Sequence, residues 1–397
     1  MKDTLRQVYR RLVAGYLHGY DPILIGAMAL LICVGLLMIF SASTSLADRY
    51  HGSSVVLLRN HLLHLIVALA AMAVSMRVPY ELWRRYTPLL LLLTFLLLII
   101  VLIPGVGYQV SGARRWLRVA VFNFQPTELL KLVLILFVAS YLDRKQALLD
   151  RFFRGMVPGL SVIGVFLALV VMQPDFGTMV LIALTLLLMI FVGGAKPGHI
   201  LYSLLGFCAL GSYLVISQSY RLRRIFAFLD PWQDRLDSGF QIVQSYLALG
   251  SGGWLGVGLG DSRQKMFFLP DAHTDFIFSI LGEELGLVGA LAAMALFVCF
   301  VWRGYRIALA SEEDFGRYLA YGISTLFALQ ILLNLAVVMG MMPTKGLPLP
   351  FISYGGSSLV SMLFMTGILL NIGQRAACWG QPDQPPLAGA AARRTTP

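Results

Sequence analysis

Ten apolar stretches recur along this sequence of 397 residues, each long enough or nearly long enough to cross a lipid bilayer. A membrane-spanning helix takes about 20 apolar residues. A bilayer interior offers no water to backbone polar groups, and a helix satisfies them within its own segment. Hydrophobic residues make up 58% of the chain and charged residues only 13%, which is unusual for a soluble domain. The predicted fold class is therefore an all-α polytopic integral membrane protein.

The predicted spans define three regions. Residues 1–21 form an N-terminal cytoplasmic segment, residues 22–373 a ten-helix membrane domain, and residues 374–397 a cytoplasmic tail that is predicted to be disordered from its Pro- and Ala-rich composition. A long outer loop, residues 218–274, separates helices seven and eight. The predicted spans are residues 22–43, 61–76, 88–103, 127–141, 156–172, 178–192, 199–217, 276–302, 318–339 and 358–372.

The distribution of lysine and arginine predicts the orientation. With both termini inside, the cytoplasmic segments hold 18 of these residues and the short outer loops hold six. This asymmetry follows the positive-inside rule, so both termini are predicted to be cytoplasmic. The basic residues are spread over many loops, which argues against nucleic acid as a partner. The first span is longer than the apolar region of a signal peptide, and a retained anchor is favoured over a cleaved one.

The unusual polar segments all fall on the outer side of this topology. They are "SGARRWLRVAVFNFQPTELLK", "QPDFGT", the loop 218–274 and "MMPTKGLPLPFISYGGSS". The chain has no phosphate-binding GxxxxGK[ST] loop, and ATP is not supplied on the outer side, so no nucleotide cofactor is expected. A substrate used there must arrive already activated, and a lipid-linked diphosphate fits. Such a site needs cations for the leaving diphosphate and a carboxylate that takes a proton from the incoming hydroxyl.

Basic residues that could hold a diphosphate occur in most of these outer segments. Each one alone has a simpler interpretation, because lysine and arginine near helix ends extend toward lipid head groups. Lys131 differs, since Glu128 precedes it by three residues within a predicted span, and an ionisable pair inside the membrane boundary indicates function. The candidate cations are Arg114, Arg115, Lys131, Arg221, Arg223, Arg224, Arg263 and Lys265.

The stretch "PDAHTDFIFSILGEELG" places Asp275 at the outer mouth of the predicted helix bundle. On one continuous helix, Glu283 and Glu284 could not both share a face with Asp275, at 100° per residue. Alternatively the span begins after Gly282, and the preceding segment is reentrant or interfacial. Asp275 itself has three interpretations: a general base, a metal ligand, or a residue that caps the helix and complements its dipole.

Five motifs in order along one membrane face resemble the SEDS family of shape, elongation, division and sporulation proteins, over nearly the full chain. The forms "GVGLGDSRQKMFFLPDAHTDFIF" and "MMPTKGLPLPFISYGGSS" look like a division-type rather than an elongation-type member. The five motifs are "GARRW", "QPTELLK", "QPDFGT", "LPDAHTDFIFSILGEELG" and "PTKGLPLPFISYGGSS".

The resemblance implies a peptidoglycan glycosyltransferase that polymerises lipid II during cell division. It also implies a class B penicillin-binding protein and other division-complex membrane proteins as partners, a location in the bacterial inner membrane at the septum, and a divalent cation, Mg²⁺ or Mn²⁺, with ligands unknown. In that family the aspartate of the HTDF motif, here Asp275, is catalytic. The predicted substrate-binding residues are Lys131, Glu128, Arg114, Asp175, Lys345 and His273.

The predicted reaction is an inverting displacement. Asp275 takes the proton of a sugar hydroxyl, the oxygen attacks the anomeric carbon of a second lipid-linked disaccharide, and undecaprenyl diphosphate leaves, stabilised by Lys131, Arg114 or a metal. Two alternatives remain from other classes, a lipid II flippase and a non-catalytic division scaffold. A flippase is expected to carry ionisable groups along a path through the midplane, whereas those of this chain cluster near the outer rim.

Overall fold

The computed structural model of the chain describes residues 19–50, 55–110, 113–119, 122–235, 237, 239–265, 269, 273–344 and 346–379. The predicted cytoplasmic segment lies almost wholly outside these residues, and so does the predicted disordered tail beyond residue 379. Lys345 is outside them as well.

The described part of the chain contains twelve α-helices, a 3-10 helix (Gln146–Leu148), a π-helix (Phe152–Met156) and a small sheet. Ten of the α-helices coincide with the ten predicted spans, and the remaining two, α8 and α9, fold within the long outer loop. The helices are α1 (Pro22–Tyr50), α2 (Val55–Arg77), α3 (Tyr80–Leu102), α4 (Pro126–Lys145), α5 (Val157–Met172), α6 (Phe176–Val192), α7 (Pro197–Ile216), α8 (Ser219–Leu229), α9 (Phe240–Ser251), α10 (Ile277–Ala310), α11 (Asp314–Val338) and α12 (Gly356–Trp379).

The predicted class, an all-α polytopic membrane protein, is confirmed. Within the described residues, eight helical segments are long and apolar enough to cross a membrane: α1, α2, α3, α7, α10, α11, α12, and α5 together with the π-helical turn before it, Phe152–Met172. The apolar helix α6 has 17 residues and is shorter than these. Helix α4 has 20 residues and carries an ionisable pair and a charged C-terminal end. The count of ten crossings stays a prediction.

A three-stranded antiparallel sheet between α3 and α4 is the element that helical periodicity did not predict. Its strands are β1 (Gly107–Val110), β2 (Ala113–Val119) and β3 (Phe122–Phe124), in the order β1-β2-β3. The segment is rich in valine and aromatic residues, which favour strands. Leu117 pairs with Gly107 on one side and Phe124 on the other. The sheet therefore fixes the "GARRW" motif directly before α4.

Helix α4 lies at the centre of the bundle, packed against α3, α6 and α11. Its run "LLKLVLILFVAS" is apolar on every side, which is typical of a helix buried all round. Helix α11 approaches closely at Gly322, where an added Cβ would lie 2.5 Å from Met189 Sδ and 2.7 Å from Ile135 Cγ2. Small residues permit such close contact between membrane helices.

Helix α10 is broken at Gly286, whose φ of 69° and ψ of −168° are not helical. The break divides α10 into a short half, residues 277–285, which follows Asp275, and a long apolar half that ends at Ala310. The sequence left open a continuous helix or a separate reentrant or interfacial segment before the span. The structure shows that the helix is not continuous, with the break at Gly286 rather than after Gly282, and the reentrant or interfacial placement stays a prediction.

We expect Gly286→Ala to destabilise the protein. Backbone angles in this glycine-only region cost a side-chain-bearing residue about 1–3 kcal/mol. The added Cβ would also lie 2.3 Å from Gly256 N and 2.6 Å from Trp254 O, both backbone atoms. Thermal unfolding of purified protein measures the effect. The control is Gly206→Ala on α7, where an added Cβ meets nothing within 4 Å. Equal melting of the two variants would contradict a strained break.

Candidate active site

Asp275 lies in a cleft of about 360 Å³ at the end of the bundle that carries the outer motifs. A second carboxylate, Asp175, and three arginines line the same cleft. Its walls come from β2, the start of α6, the end of α7, α8, α9, the segment before α10 and the loop after α11. The charged lining residues are Arg115, Asp175, Arg221, Arg224 and Asp275.

The backbone around Asp275 is held by side chains from two neighbouring elements. Asn334 Nδ2 on α11 donates to the Asp275 carbonyl at 2.9 Å. Ser353 Oγ donates to the Thr274 carbonyl at 2.6 Å. The N-cap residue of α10 is Phe276, so Asp275 lies one residue outside the capping position. By these bounds Asp275 is not the N-cap residue of α10.

His273 packs behind Asp275 against Tyr354, at 5.9 Å between ring centroids. Tyr354 also contacts His61 and His64 on α2, and its backbone N–H donates to the His273 carbonyl at 2.9 Å. Burial raises the pKa of the Tyr354 hydroxyl, so this hydroxyl stays protonated at neutral pH. His273 is not among the residues that line the cleft, and its contacts indicate a role in packing the HTDF segment.

Asp175 caps helix α6, since its Oδ1 accepts a hydrogen bond from the Thr178 backbone N–H at 3.2 Å. The residue is only 4% exposed, yet it lines the cleft with Asp275. A cap orients a carboxylate rigidly and does not use all of its acceptor positions. Asp175 therefore combines a structural role with a place in the cleft.

Arg115, rather than the neighbouring Arg114, lines the cleft. The register between β1 and β2 shifts at this point: Trp116 pairs with Tyr108 and Arg114 pairs with Gln109, so Arg115 is the extra residue of a bulge in β2. Arg115 Nε donates to the Gln173 carbonyl at 3.0 Å, and a terminal nitrogen donates to Pro174 O. Both carbonyls belong to the "QPDFGT" motif. Arg114 as a substrate-binding residue stays a prediction.

Two further arginines, both on α8, complete the basic side of the cleft. Arg224 donates to the Thr344 carbonyl at 3.2 Å. Arg221 donates to the Leu214 carbonyl at 2.7 Å and lies over the Phe176 ring at 5.7 Å. A guanidinium offers five N–H donors in a fixed planar fork. The sequence marked both as candidate cations, but only the structure shows them beside Asp275.

Glu128 and Lys131 form the predicted i,i+3 ion pair, with Lys131 Nζ 2.8 Å from Glu128 Oε1. Both are buried, and the Lys131 side chain is 1% exposed. Glu128 Oε2 has no hydrogen-bond partner among the described residues. Neither residue lines the cleft of Asp275. Glu128 instead borders a separate apolar cavity between α2, α4 and α12.

Two polar side chains on α11 connect the ion pair with the catalytic segment. Gln330 Oε1 accepts from Lys131 Nζ at 3.4 Å, and Gln330 Nε2 donates to the Pro348 carbonyl at 2.8 Å. One helical turn further on, Asn334 Nδ2 donates to the carbonyls of Asp275 and Leu347. Polar residues four apart inside an apolar span are a signal that the sequence analysis did not use.

The loop after α11 approaches Asp275 at Gly346. A Cβ added to Gly346 would lie 3.2 Å from Asp275 Oδ2. The preceding residue is Lys345, which lies outside the described residues, so its predicted substrate-binding role stays a prediction. Across the described part of the chain, no group of three or more histidine, cysteine, aspartate or glutamate side chains is arranged to hold a metal ion.

Comparison with known proteins gives consistent matches along the chain. The model of the cell cycle protein family of FtsW, RodA and SpoVE matches residues 22–377. A probable peptidoglycan glycosyltransferase FtsW of Geobacter sp. (strain M18) is 44% identical over 362 residues, covering 90% of this chain and 98% of the relative. Stage V sporulation protein E of Bacillus subtilis (strain 168) is 44% identical, covering 89% of this chain and 96% of that protein.

Two solved structures share the fold. A chain from a peptidoglycan synthase complex, described as coordinating polymerization and crosslinking, has a TM-score of 0.75 and 29% identity, and the match covers 90% of this chain and 98% of that one. The rod shape determining protein RodA of Thermus thermophilus has a TM-score of 0.64 and 27% identity, with 89% and 96% covered. The family model, the relatives and the fold agree with the motifs of the cleft, and the chain belongs to the SEDS family of FtsW, RodA and SpoVE.

Proposed function

We propose that this protein is a division-type peptidoglycan glycosyltransferase that polymerises lipid II on the outer face of the inner membrane and releases undecaprenyl diphosphate. One observation carries the proposal: Asp275 shares a single cleft with Arg115, Arg221 and Arg224. A reaction that deprotonates a sugar hydroxyl and expels a diphosphate needs this combination of a carboxylate and cations. The FtsW relatives, named probable peptidoglycan glycosyltransferases, support the same conclusion.

In this mechanism Asp275 acts as the general base. Its carboxylate accepts the proton of the acceptor hydroxyl while that oxygen forms a bond to the anomeric carbon of the donor. The bond from that carbon to the diphosphate oxygen breaks, and the electron pair leaves with the diphosphate. Hydrogen bonds from Asn334 and Ser353 to the backbone hold the base in place during this step.

The three arginines stabilise the charge that develops on the leaving diphosphate. Guanidinium groups suit this task, because their planar fork binds phosphate oxygens bidentately. Carbonyls of the "QPDFGT" motif and of the loop after α11 orient Arg115 and Arg224 before substrate arrives. Such preorganised charge lowers the barrier without reorganisation during the reaction.

A divalent cation is compatible with the same cleft. Mg²⁺ is commonly bound by one or two carboxylates together with substrate phosphate oxygens. Asp175 and Asp275 supply two carboxylates on one cleft, which is the donor set that such a shared site requires. When bound, the cation would help to neutralise the diphosphate, and the arginines perform this task from the protein side.

A transpeptidase of the class B penicillin-binding type is the proposed partner, together with other division-complex membrane proteins at the septum. The structural relative comes from a synthase complex that coordinates polymerization and crosslinking. A polymerase of this kind releases glycan strands at the outer surface, where a crosslinking enzyme must receive them.

The decisive experiment mixes the purified protein and its cognate transpeptidase with labelled lipid II in vesicles and measures the products. We expect glycan polymer, separated by size on a gel. Movement of lipid II between leaflets without polymer would instead identify a flippase. If a stably folded complex neither forms polymer nor moves lipid II between leaflets, the scaffold interpretation is the one that remains.

If the active site lies on the outer face of the membrane, as proposed, the long loop 218–274 must be extracytoplasmic. We expect a cysteine placed at the exposed Gln233, in a chain whose own cysteines are replaced, to react with a membrane-impermeant maleimide. The cells are intact except for a permeabilised outer envelope. We expect this outer location because lysine and arginine are concentrated in the loops on the opposite, cytoplasmic side. Reaction only after the inner membrane is lysed would contradict the proposed topology.

A further inference from the structure

The break in α10 is closed by the outer loop that precedes the catalytic segment. At a break, the last carbonyls of one helix and the first N–H groups of the next lose their helical partners. Backbone groups of the loop replace them: Val257 N donates to Glu283 O at 3.0 Å, and Leu287 N donates to Gly253 O at 3.0 Å. Gly258 N to Glu284 O and Val288 N to Trp254 O add two similar bonds.

Glu283, on the short half of α10, is 1% exposed and holds the next part of the loop. Its carboxylate accepts hydrogen bonds from the backbone N–H groups of Arg263 at 3.1 Å and Gln264 at 3.4 Å, and from the Ser262 hydroxyl. A buried carboxylate with three donors is well satisfied. The loop is thus attached to the helix by side chains as well as by backbone.

Glu284 adds a buried ion pair that also includes α1. Lys265 Nζ lies 2.9 Å from Glu284 Oε1, and the two side chains are almost completely buried. The same ammonium donates to Ser41 Oγ at 2.9 Å and to Gly260 O at 2.6 Å. Ser41 Oγ in turn donates to Glu284 Oε1 at 2.5 Å. All three ammonium protons of Lys265 therefore have acceptors.

We infer that Lys265 and Glu284, with Ser41 and Glu283, form a clasp that positions Asp275 for the proposed reaction. The short half of α10 is about 13 Å long, at 1.5 Å per residue. Asp275 lies two residues before its first residue, Ile277, and the clasp holds Glu283 and Glu284 near its other end. A displacement at the clasped end moves the rigid half-helix and changes where the carboxylate stands in the cleft. None of these residues lines the cleft, so we assign them as positioning residues.

The inference rests on the proposed function and on the role of Asp275 as base. The two can be tested separately, because the clasp also makes a prediction about backbone motion that needs no activity. Removing Lys265 alone leaves a buried carboxylate without its partner, and such a variant can fail to fold. The test therefore uses the neutral pair Lys265→Met with Glu284→Gln, which removes the clasp and leaves no unpaired charge.

The chain offers a matched control on the same two helices. At the opposite end, Arg303 on α10 pairs with Asp21 at the start of α1, and Arg303 Nε lies 2.7 Å from Asp21 Oδ2. The control variant is Arg303→Met with Asp21→Asn. It also removes a link between the start of α1 and α10, partly buried in this case, but far from the half-helix that follows Asp275.

Two measurements on the purified complex decide the inference. We expect the clasp variant to lose about 10²-fold in polymerisation kcat, the effect of misplacing a catalytic group by about 1 Å, with an unchanged KM for lipid II. Amide hydrogen exchange should increase over residues 275–285 and not in α4. The control variant should keep both kcat and exchange at wild-type values.

Three results would overturn the clasp: wild-type kcat in the clasp variant, a fall in kcat without faster exchange of residues 275–285, or an equal loss in the control variant. An active Asp275→Asn protein would instead overturn the assignment of the base. In that case the exchange measurement still reports whether the clasp holds the half-helix.

Discussion

Asp275→Asn is expected to reduce lipid II polymerisation by about 10²-fold or more, the usual contribution of a general base. Asparagine has nearly the same shape as aspartate but cannot accept the proton. Stability should stay at the wild-type value, because the carboxylate is not the N-cap of α10 and the carbonyl bond from Asn334 is independent of the side chain. Polymer formation and thermal unfolding on the same preparation measure both effects.

Two companion variants separate the possible roles of this carboxylate. Asp275→Glu keeps the charge and moves it by one methylene, so it should retain partial activity. Raising the Mg²⁺ concentration should partly rescue Asp275→Asn if the residue is a metal ligand, and should not rescue it if the residue is a base. Asp237→Asn, on the exposed outer loop, is the control and should remain fully active. Normal polymerisation by stable Asp275→Asn protein would refute the proposed mechanism.

The helices could be predicted from the sequence because a bilayer imposes a length and a composition on every span. That rule says nothing about the small sheet after α3, because its strands of three to seven residues are too short to be spans. It also could not predict which arginine of "GARRW" faces the cleft. That choice between Arg114 and Arg115 depends on the local register of β2, which has a bulge at Arg115, and only the fold shows the bulge.

The sequence motifs predicted Asp275 as the central residue of the candidate site, but they did not predict which side chains surround it. From the sequence alone, the segment with Glu283 and Glu284 could be part of a continuous helix or a separate segment. The break at Gly286 could not be predicted, because it depends on backbone hydrogen bonds from the outer loop, residues 253–258. Arg221 and Arg224 reach Asp275 only because α8 folds back over the cleft. Gln330 and Asn334 could have been suspected, since polar side chains inside an apolar span indicate function.

Replacing Lys131 tests whether the buried ion pair takes part in catalysis or only supports the fold. Lys131→Ala should strongly reduce polymerisation, but it also leaves Glu128 buried without its partner. Breaking a buried pair from one side costs about 3–5 kcal/mol of stability. A loss of activity in this single variant therefore has two explanations.

The double variant Glu128→Gln with Lys131→Met separates them. It leaves no unpaired charge, so thermal unfolding should return close to the wild-type value. Polymerisation should stay low, because methionine cannot donate to Gln330, and the hydrogen-bonded connection from α4 through α11 to the Asp275 segment is lost. The control is Asp314→Asn with Arg317→Met, an exposed pair of the same i,i+3 spacing, which contributes about 0–1 kcal/mol. If the double variant of Glu128 and Lys131 polymerises lipid II at the wild-type rate, the pair is structural, and the cations of the cleft are the arginines alone.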